Sequence, residues 1–229
     1  MGKESKFRED KNLAFLQDAE WQDLKILAEA LIKDHHGTEQ WTGELKSTIE
    51  KNKELYPSDE ELYKKSWKAI AAELQLFGGD TIANLVRRNG VLYEVILDDV
   101  VKKVKCDIHQ RTSSIEEIEE KLLRTLFGRL IDINDLDYMY SKLEEMGLLG
   151  LTSLKSKPLD TIKGSFSNRS KLATLGLVAR KIPIVSIATA PLAVKELSDP
   201  AYRVTIPAVC IVAILRRKHI KNGQVTNEF

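Results

Sequence analysis

Apolar residues recur at intervals of three and four along most of the chain, and glycines or capping residues separate the stretches. Trp21, Leu24, Leu27, Ala28 and Leu31 mark one face of a helix, with Asp18 as its expected cap, an end near Asp34 and Gly37 beyond it. Ahead of it, Leu13, Phe15 and Leu16 predict a short helical turn, and residues 1–9 are expected to hang free. Leu45, Ile49 and Leu55 make a weaker stripe that frays before Pro57.

Ser58-Asp-Glu-Glu61 has the spacing of a capping box, in which the serine hydroxyl takes the third backbone N–H and Glu61 reaches back. The helix it opens should run to about Leu76 and bury Leu62, Trp67, Ile70, Ala71 and Leu74. Phe77-Gly-Gly-Asp80 reads as a stop followed by a restart, with a short helix from Thr81 to Arg88 and a second stop at Asn89-Gly90. Val91 to Lys105 is rich in β-branched residues, but its length favours helix, with Leu92, Val95, Ile96, Val100 and Val104 apolar. A second box, Ser114-Ile-Glu-Glu117, opens a helix to about Ile131 with Ile118, Leu122, Leu126 and Leu130 inward. Asn134 is the expected cap of the next, which Gly147 ends near Met146. The pattern predicts an all-α multi-helix bundle.

Beyond residue 148 the texture changes. Leu148 to Lys171 reads as a linker or a set of short helical turns. Leu172 to Val194 is apolar but broken by Arg180-Lys181, Pro183 and Pro191, and Val204 to Leu215 is broken by Pro207. The second run spans only about 18 Å as helix, short of the roughly 30 Å hydrocarbon core. A buried or membrane-dipping helical hairpin joined by Lys195 to Arg203 fits better than a membrane crossing, with strand as the alternative for Ile182 to Ile187. Three parts follow: a short N-terminal helical domain (1–37), a helical core (38–160) and an apolar, basic C-terminal region (161–229).

Charge sharpens that last boundary. The 229 residues carry a net +1, which disfavours a dedicated nucleic-acid binder. Yet residues 1–160 hold 24 basic and 31 acidic side chains, a net of −7, while residues 161–229 hold 11 and 3, a net of +8. The C-terminal region is therefore expected to meet either the acidic N-terminal part or an anionic partner. Two cysteines, Cys106 and Cys210, give no disulfide framework. The charged first eleven residues do not read as a signal peptide. The expected location is cytoplasmic, with peripheral contact at the inner face of the membrane as an extension.

Candidate chemistry is sparse. Phe77 to Asn84 could present Asp80, Asn84 and Arg87 to a partner, although each also has a plain structural duty as cap or packing pin. Tyr202 and Arg203 on one side of an apolar run, with Arg216-Arg217-Lys218 on the other, fit an interfacial anchor or, equally, the ends of a core helix. Adjacent His35 and His36 point about 100° apart on a helix and make a poor metal pair. Asp107 and His109 beside Cys106 lack the second half of a metal site. Asp132 to Asp137 places Asp137 where a calcium loop needs glycine. The acidic run Glu116 to Glu120 reads as solvated helix surface. No catalytic set or cofactor motif stands out.

Three stretches carry a resemblance. The first is Glu73-Leu-Gln-Leu-Phe-Gly-Gly-Asp-Thr-Ile-Ala-Asn84, continued by Arg87, Gly90, Leu92-Tyr93 and Ile96 to Val100. The second is Ala201-Tyr-Arg-Val-Thr-Ile-Pro-Ala-Val209 with Leu215-Arg-Arg217, and the third is Leu13 to Leu31. Together they resemble the YaaW family of bacterial proteins, the third being similar to a short helical domain often found ahead of it. The resemblance names no catalytic residue. Its distant grouping with ubiquinol–cytochrome c chaperones implies, by analogy of fold, a role in assembling a membrane complex. The resulting expectation is a non-enzymatic interaction protein. It binds a protein partner or touches a membrane through residues 172–218, with Asp80, Asn84, Arg87, Tyr93, Tyr202 and Arg203 as binding residues. An assembly chaperone, an enzyme acting at Asp80, Asn84 and Arg87, and self-association are the alternatives.

Overall fold

The computed structural model describes residues 6–33, 44–77, 90–108, 112–148 and 200–226. Its α-helices are α1 (Trp21–Ile32), α2 (Glu44–Leu55), α3 (Asp59–Phe77), α4 (Tyr93–Lys103), α5 (Ile115–Phe127), α6 (Leu136–Glu145) and α7 (Pro200–Thr226). Short 3-10 turns at Ala14–Gln17 and Ile133–Asp135 precede α1 and α6. This is the all-α bundle that the apolar spacing predicts.

Local signals set several ends. Ser114 accepts from Glu117 N at 3.2 Å while Ser114 N donates to the Glu117 carboxylate at 2.8 Å, so the second capping box closes in both directions. Ser58 likewise accepts from Glu61 N at 3.2 Å. Gly128 ends α5 with φ 71°, three residues before the expected Ile131, because its left-handed turn returns its N–H to Arg124 O. Two expected caps are corrected. Asp18 does not cap α1; its own N–H closes the preceding turn on Phe15 O, and Glu20 takes the cap position. Asp132, rather than Asn134, caps the turn into α6, accepting from Asn134 N at 2.9 Å.

The N-terminal segment does not hang free within the described residues. Phe7 packs edge-on against Trp67 at 5.3 Å between ring centroids. Arg8 pairs with Gln75 as one strand edge pairs with another: its N donates to Gln75 Oε1 and its O accepts from Nε2, both at 2.9 Å. A carboxamide thus completes the backbone of a segment 67 residues away. Val91 N returns to Gln75 O at 3.0 Å, and a Cβ on Gly90 would lie 2.6 Å from Gln75 Cβ. Space, set by this close approach, is what demands glycine at 90.

The largest departure from expectation is α7. The second limb of the predicted hairpin is a 27-residue helix that begins at Pro200, so residues 200–203 are helix rather than connector; residues 172–194 lie outside the described residues. Val204 through Leu215 are all buried, packed against α1, α3, α4 and α5. A helix surrounded on all sides needs no polar face, which is why this run is apolar without an amphipathic period. Each fully buried Val, Leu or Ile there contributes about 1.5–3 kcal/mol, enough together to offset the roughly 3 kcal/mol cost of Pro207 inside the helix. No helix among the described residues is long and apolar enough to cross a membrane.

Candidate functional site: a buried polar triad beneath an open groove

The C-terminal end of the buried run carries the cations, and each finds its partner inside the fold. Arg216 Nε donates to Glu119 Oε2 at 2.8 Å, and Arg216 Nη2 donates to Asn12 O at 2.6 Å. Arg217 Nη1 donates to Ile131 O at 2.9 Å. Lys218 Nζ reaches Glu20 at 2.7 Å and Asp23 at 2.9 Å on and beside α1. For these three residues the basic C-terminal region meets the acidic N-terminal part of the same chain.

Arg216 and Glu119 form a centre with Tyr93. The Tyr93 hydroxyl donates to Glu119 Oε1 at 2.7 Å, so both carboxylate oxygens are engaged. The guanidinium also lies 4.6 Å from the Phe15 ring centre and 5.5 Å from that of Tyr93. Both side chains of the ion pair are nearly enclosed, Arg216 at 8% and Glu119 at 1% exposure. Burial raises the Glu119 carboxyl above its ordinary value, and the hydrogen bonds from Arg216 and Tyr93 only partly counter it. Burial likewise raises the Tyr93 phenol well above its usual range, and Glu119 adds to the effect. Burial opposes the Arg216 charge, but Glu119 and Tyr93 outweigh it and hold the guanidinium above its ordinary value.

Asp10 fixes the start of α4. Its Oδ2 accepts from Tyr93 N at 2.6 Å, a cap supplied from 83 residues away, while its Oδ1 accepts from Asn12 N at 2.8 Å. Leu92, at the local cap position, has no side chain that could do this. The N-terminal segment is therefore folded by Asp10 and Arg216 together, and its far side borders an open groove of about 1030 Å³. Lys11 and Asn12 line one wall, Glu94, Val95 and Asp98 of α4 another, and Ser113, Ile115 and Glu116 at the start of α5 a third. Arg216 lines the groove as well, and its Nη1 makes no hydrogen bond to the described residues. Asp98 is paired with Lys102 one turn on.

Of the residues expected to bind, Asp80, Asn84 and Arg87 lie outside the described residues. Tyr93 is fully buried and serves the triad. Tyr202 is half-buried with Lys103 Nζ 4.4 Å above its ring, and Arg203 is half-buried with its Nε making no hydrogen bond to the described residues. Tyr93 begins α4 and Lys103 ends it, about 15 Å along the axis, so Tyr93 and Tyr202 belong to opposite ends of that helix.

The chain is 34% identical to the UPF0174 protein YaaW of Escherichia coli (strain K12), over 91% of its own length and 94% of that protein. It belongs to the UPF0174 family. A UPF0174 protein of Helicobacter pylori (strain J99) is 27% identical, with 93% of each chain covered. No family model matches the sequence, and no solved structure matches it.

For this UPF0174 chain the sequence reading missed Glu119, which it placed on a solvated acidic surface. The signal was present: Glu119 shares a helix face with Leu122, Leu123 and Leu126, at steps of three and four. An acid on that face must be paired to be buried. Asp10 had no such signal, because its role depends on an amide 83 residues away.

Proposed function

We propose that the chain is a non-enzymatic interaction protein that receives a polypeptide segment of a partner in the groove between the N-terminal segment, α4 and the start of α5. The observation that supports this reading most directly is the lining of the groove. It combines charged groups of both signs with the aliphatic side chains of Val95 and Ile115, and it includes Arg216, whose Nη1 makes no hydrogen bond to the described residues. A polypeptide offers the matching set: carbonyl acceptors, amide donors and side chains of both kinds. The apolar stretch 204–215 is core in the folded chain, so binding is assigned to this groove rather than to that run. An assembly-chaperone role is one form of the same reading, with the client supplying the segment.

A photoreactive side chain at Val95, which is 43% exposed, tests it against one at Leu55, 70% exposed at the end of α2. The expected result in the native cell is a discrete cross-linked protein from position 95 alone, lost when Glu94→Lys is added. Equal cross-linking from both positions, or none from position 95, overturns the proposal.

A further inference from the structure

We infer that the groove selects a segment carrying basic side chains next to an aliphatic one; this deepens the reading above and rests on it. The argument starts from which charges are already spent. Among the described residues, Asp98 is neutralised by Lys102 and Arg216 by Glu119, which sits directly behind it. Glu94 and Glu116 form no ion pair among the described residues, and both line the groove, from α4 and α5, together with Val95 and Ile115. Among the described lining residues Lys11 is the cation left, so their unspent charge is negative by one. The floor adds a second, independent requirement. Arg216, which lines the groove, is more than nine-tenths buried; its Nε and Nη2 are committed to Glu119 and Asn12 O, and its Nη1 makes no hydrogen bond to the described residues. A donor whose charge is already neutralised suits a backbone carbonyl better than a free anion.

The bound segment would therefore place a carbonyl on Arg216 Nη1 and an aliphatic side chain against Val95 and Ile115. Its Lys or Arg side chains would lie between Glu94 and Glu116. An acidic segment would face those two carboxylates with only Lys11 in compensation.

The experiment uses the full chain and two pools of short fluorescent peptides of one length and backbone. One pool carries Lys or Arg flanking Val or Leu, and the other carries Glu at the same flanking positions. The basic pool should bind about tenfold more tightly at low salt, the margin expected of two rim ion pairs, and the preference should shrink as salt rises. Reversal of both charges in Glu94→Lys/Glu116→Lys should invert the preference while the melting temperature stays within a few degrees of wild type. Equal binding of both pools, or a preference that survives the reversal, overturns the inference. If neither pool binds while the Val95 cross-link persists, the basic selectivity is wrong and the groove reading stands. Loss of both removes the groove reading with it.

Discussion

Two arginine–carboxylate pairs in this molecule have the same chemistry and opposite settings. Arg129 and Asp135 are six residues apart at the corner between α5 and α6; the two terminal guanidinium nitrogens meet the carboxylate, at 2.7 and 3.2 Å, with the arginine half exposed. Arg216 and Glu119 are 97 residues apart and buried. The first pair tidies a turn that Asp132 and Gly128 already define. The second fixes the last helix against α5 and, through Asn12 and Tyr93, against the N-terminal segment and α4. Exposed pairs of the first kind contribute little, because water competes for both ions. A buried pair costs desolvation on forming, yet losing one partner strands the other charge.

Breaking the buried pair is the strongest test of that difference. Glu119→Ala leaves Arg216 buried without its counter-charge and the Tyr93 hydroxyl without its acceptor, and should cost about 3–5 kcal/mol in urea unfolding. That is a large share of the roughly 5–15 kcal/mol that holds most domains folded. Glu119→Gln should behave differently, because the amide keeps the shape and an acceptor for Arg216. Burial raises the Glu119 carboxyl above its unfolded value of about 4.5, so the folded state holds its proton more tightly. Its contribution to stability is present below that pH and is lost as pH rises through the folded value. Glu119→Gln also removes the counter-charge, but it should cost less than Glu119→Ala at neutrality and remove a fall in wild-type stability above about pH 4.5. A wild-type profile that instead rises across that window, and flattens in the variant, would show that the ion pair outweighs burial.

The same contrast separates what could be read in the chain from what could not. The α5 cap was legible because Ser114 and Glu117 satisfy each other three residues apart. The stop at Gly147 was equally legible. Asp10 caps α4, and Gln75 completes the backbone at Arg8, only after the chain has brought distant segments together. No local window contains those pairs. The apolar run 204–215 was legible only as a segment shielded from water, and what shields it is a matter of topology: an interfacial anchor and a central core helix share one pattern until α1, α3, α4 and α5 are seen around it. The basic tail was ambiguous for the same reason, until Arg216 and Lys218 are seen to pair with acids of residues 1–160.

The two caps offer a middle-sized test of local against distant design. Asp10→Ala removes acceptors from Tyr93 N and Asn12 N at a buried site and should cost about 1–2 kcal/mol. Ser114→Ala, at an exposed helix start where water can replace the hydroxyl, should cost about 1 kcal/mol or less. Hydrogen exchange would distinguish them further. Asp10→Ala should loosen α4 together with the N-terminal segment, whereas Ser114→Ala should affect only the first turn of α5. Loosening confined to α4 after Asp10→Ala would mean that Arg216 alone secures the segment.

The smallest effect belongs to the exposed corner, and its sign is the opposite of that at Glu119. The hydrogen bond from Arg129 lowers the Asp135 carboxyl below its ordinary 3.8, and the Asp132 N–H, donating at 2.9 Å, lowers it further. A lowered folded value means that this carboxylate adds stability above the ordinary range and loses it as the solution becomes acid. Asp135→Asn should therefore leave stability near wild type at neutral pH in moderate salt, while removing a small part of its fall below about pH 4. The two arginine pairs then titrate in opposite directions: acid relieves the buried one and weakens the exposed one. Equal pH profiles for Glu119→Gln and Asp135→Asn would mean that burial makes no difference to what an arginine does for its carboxylate in this fold.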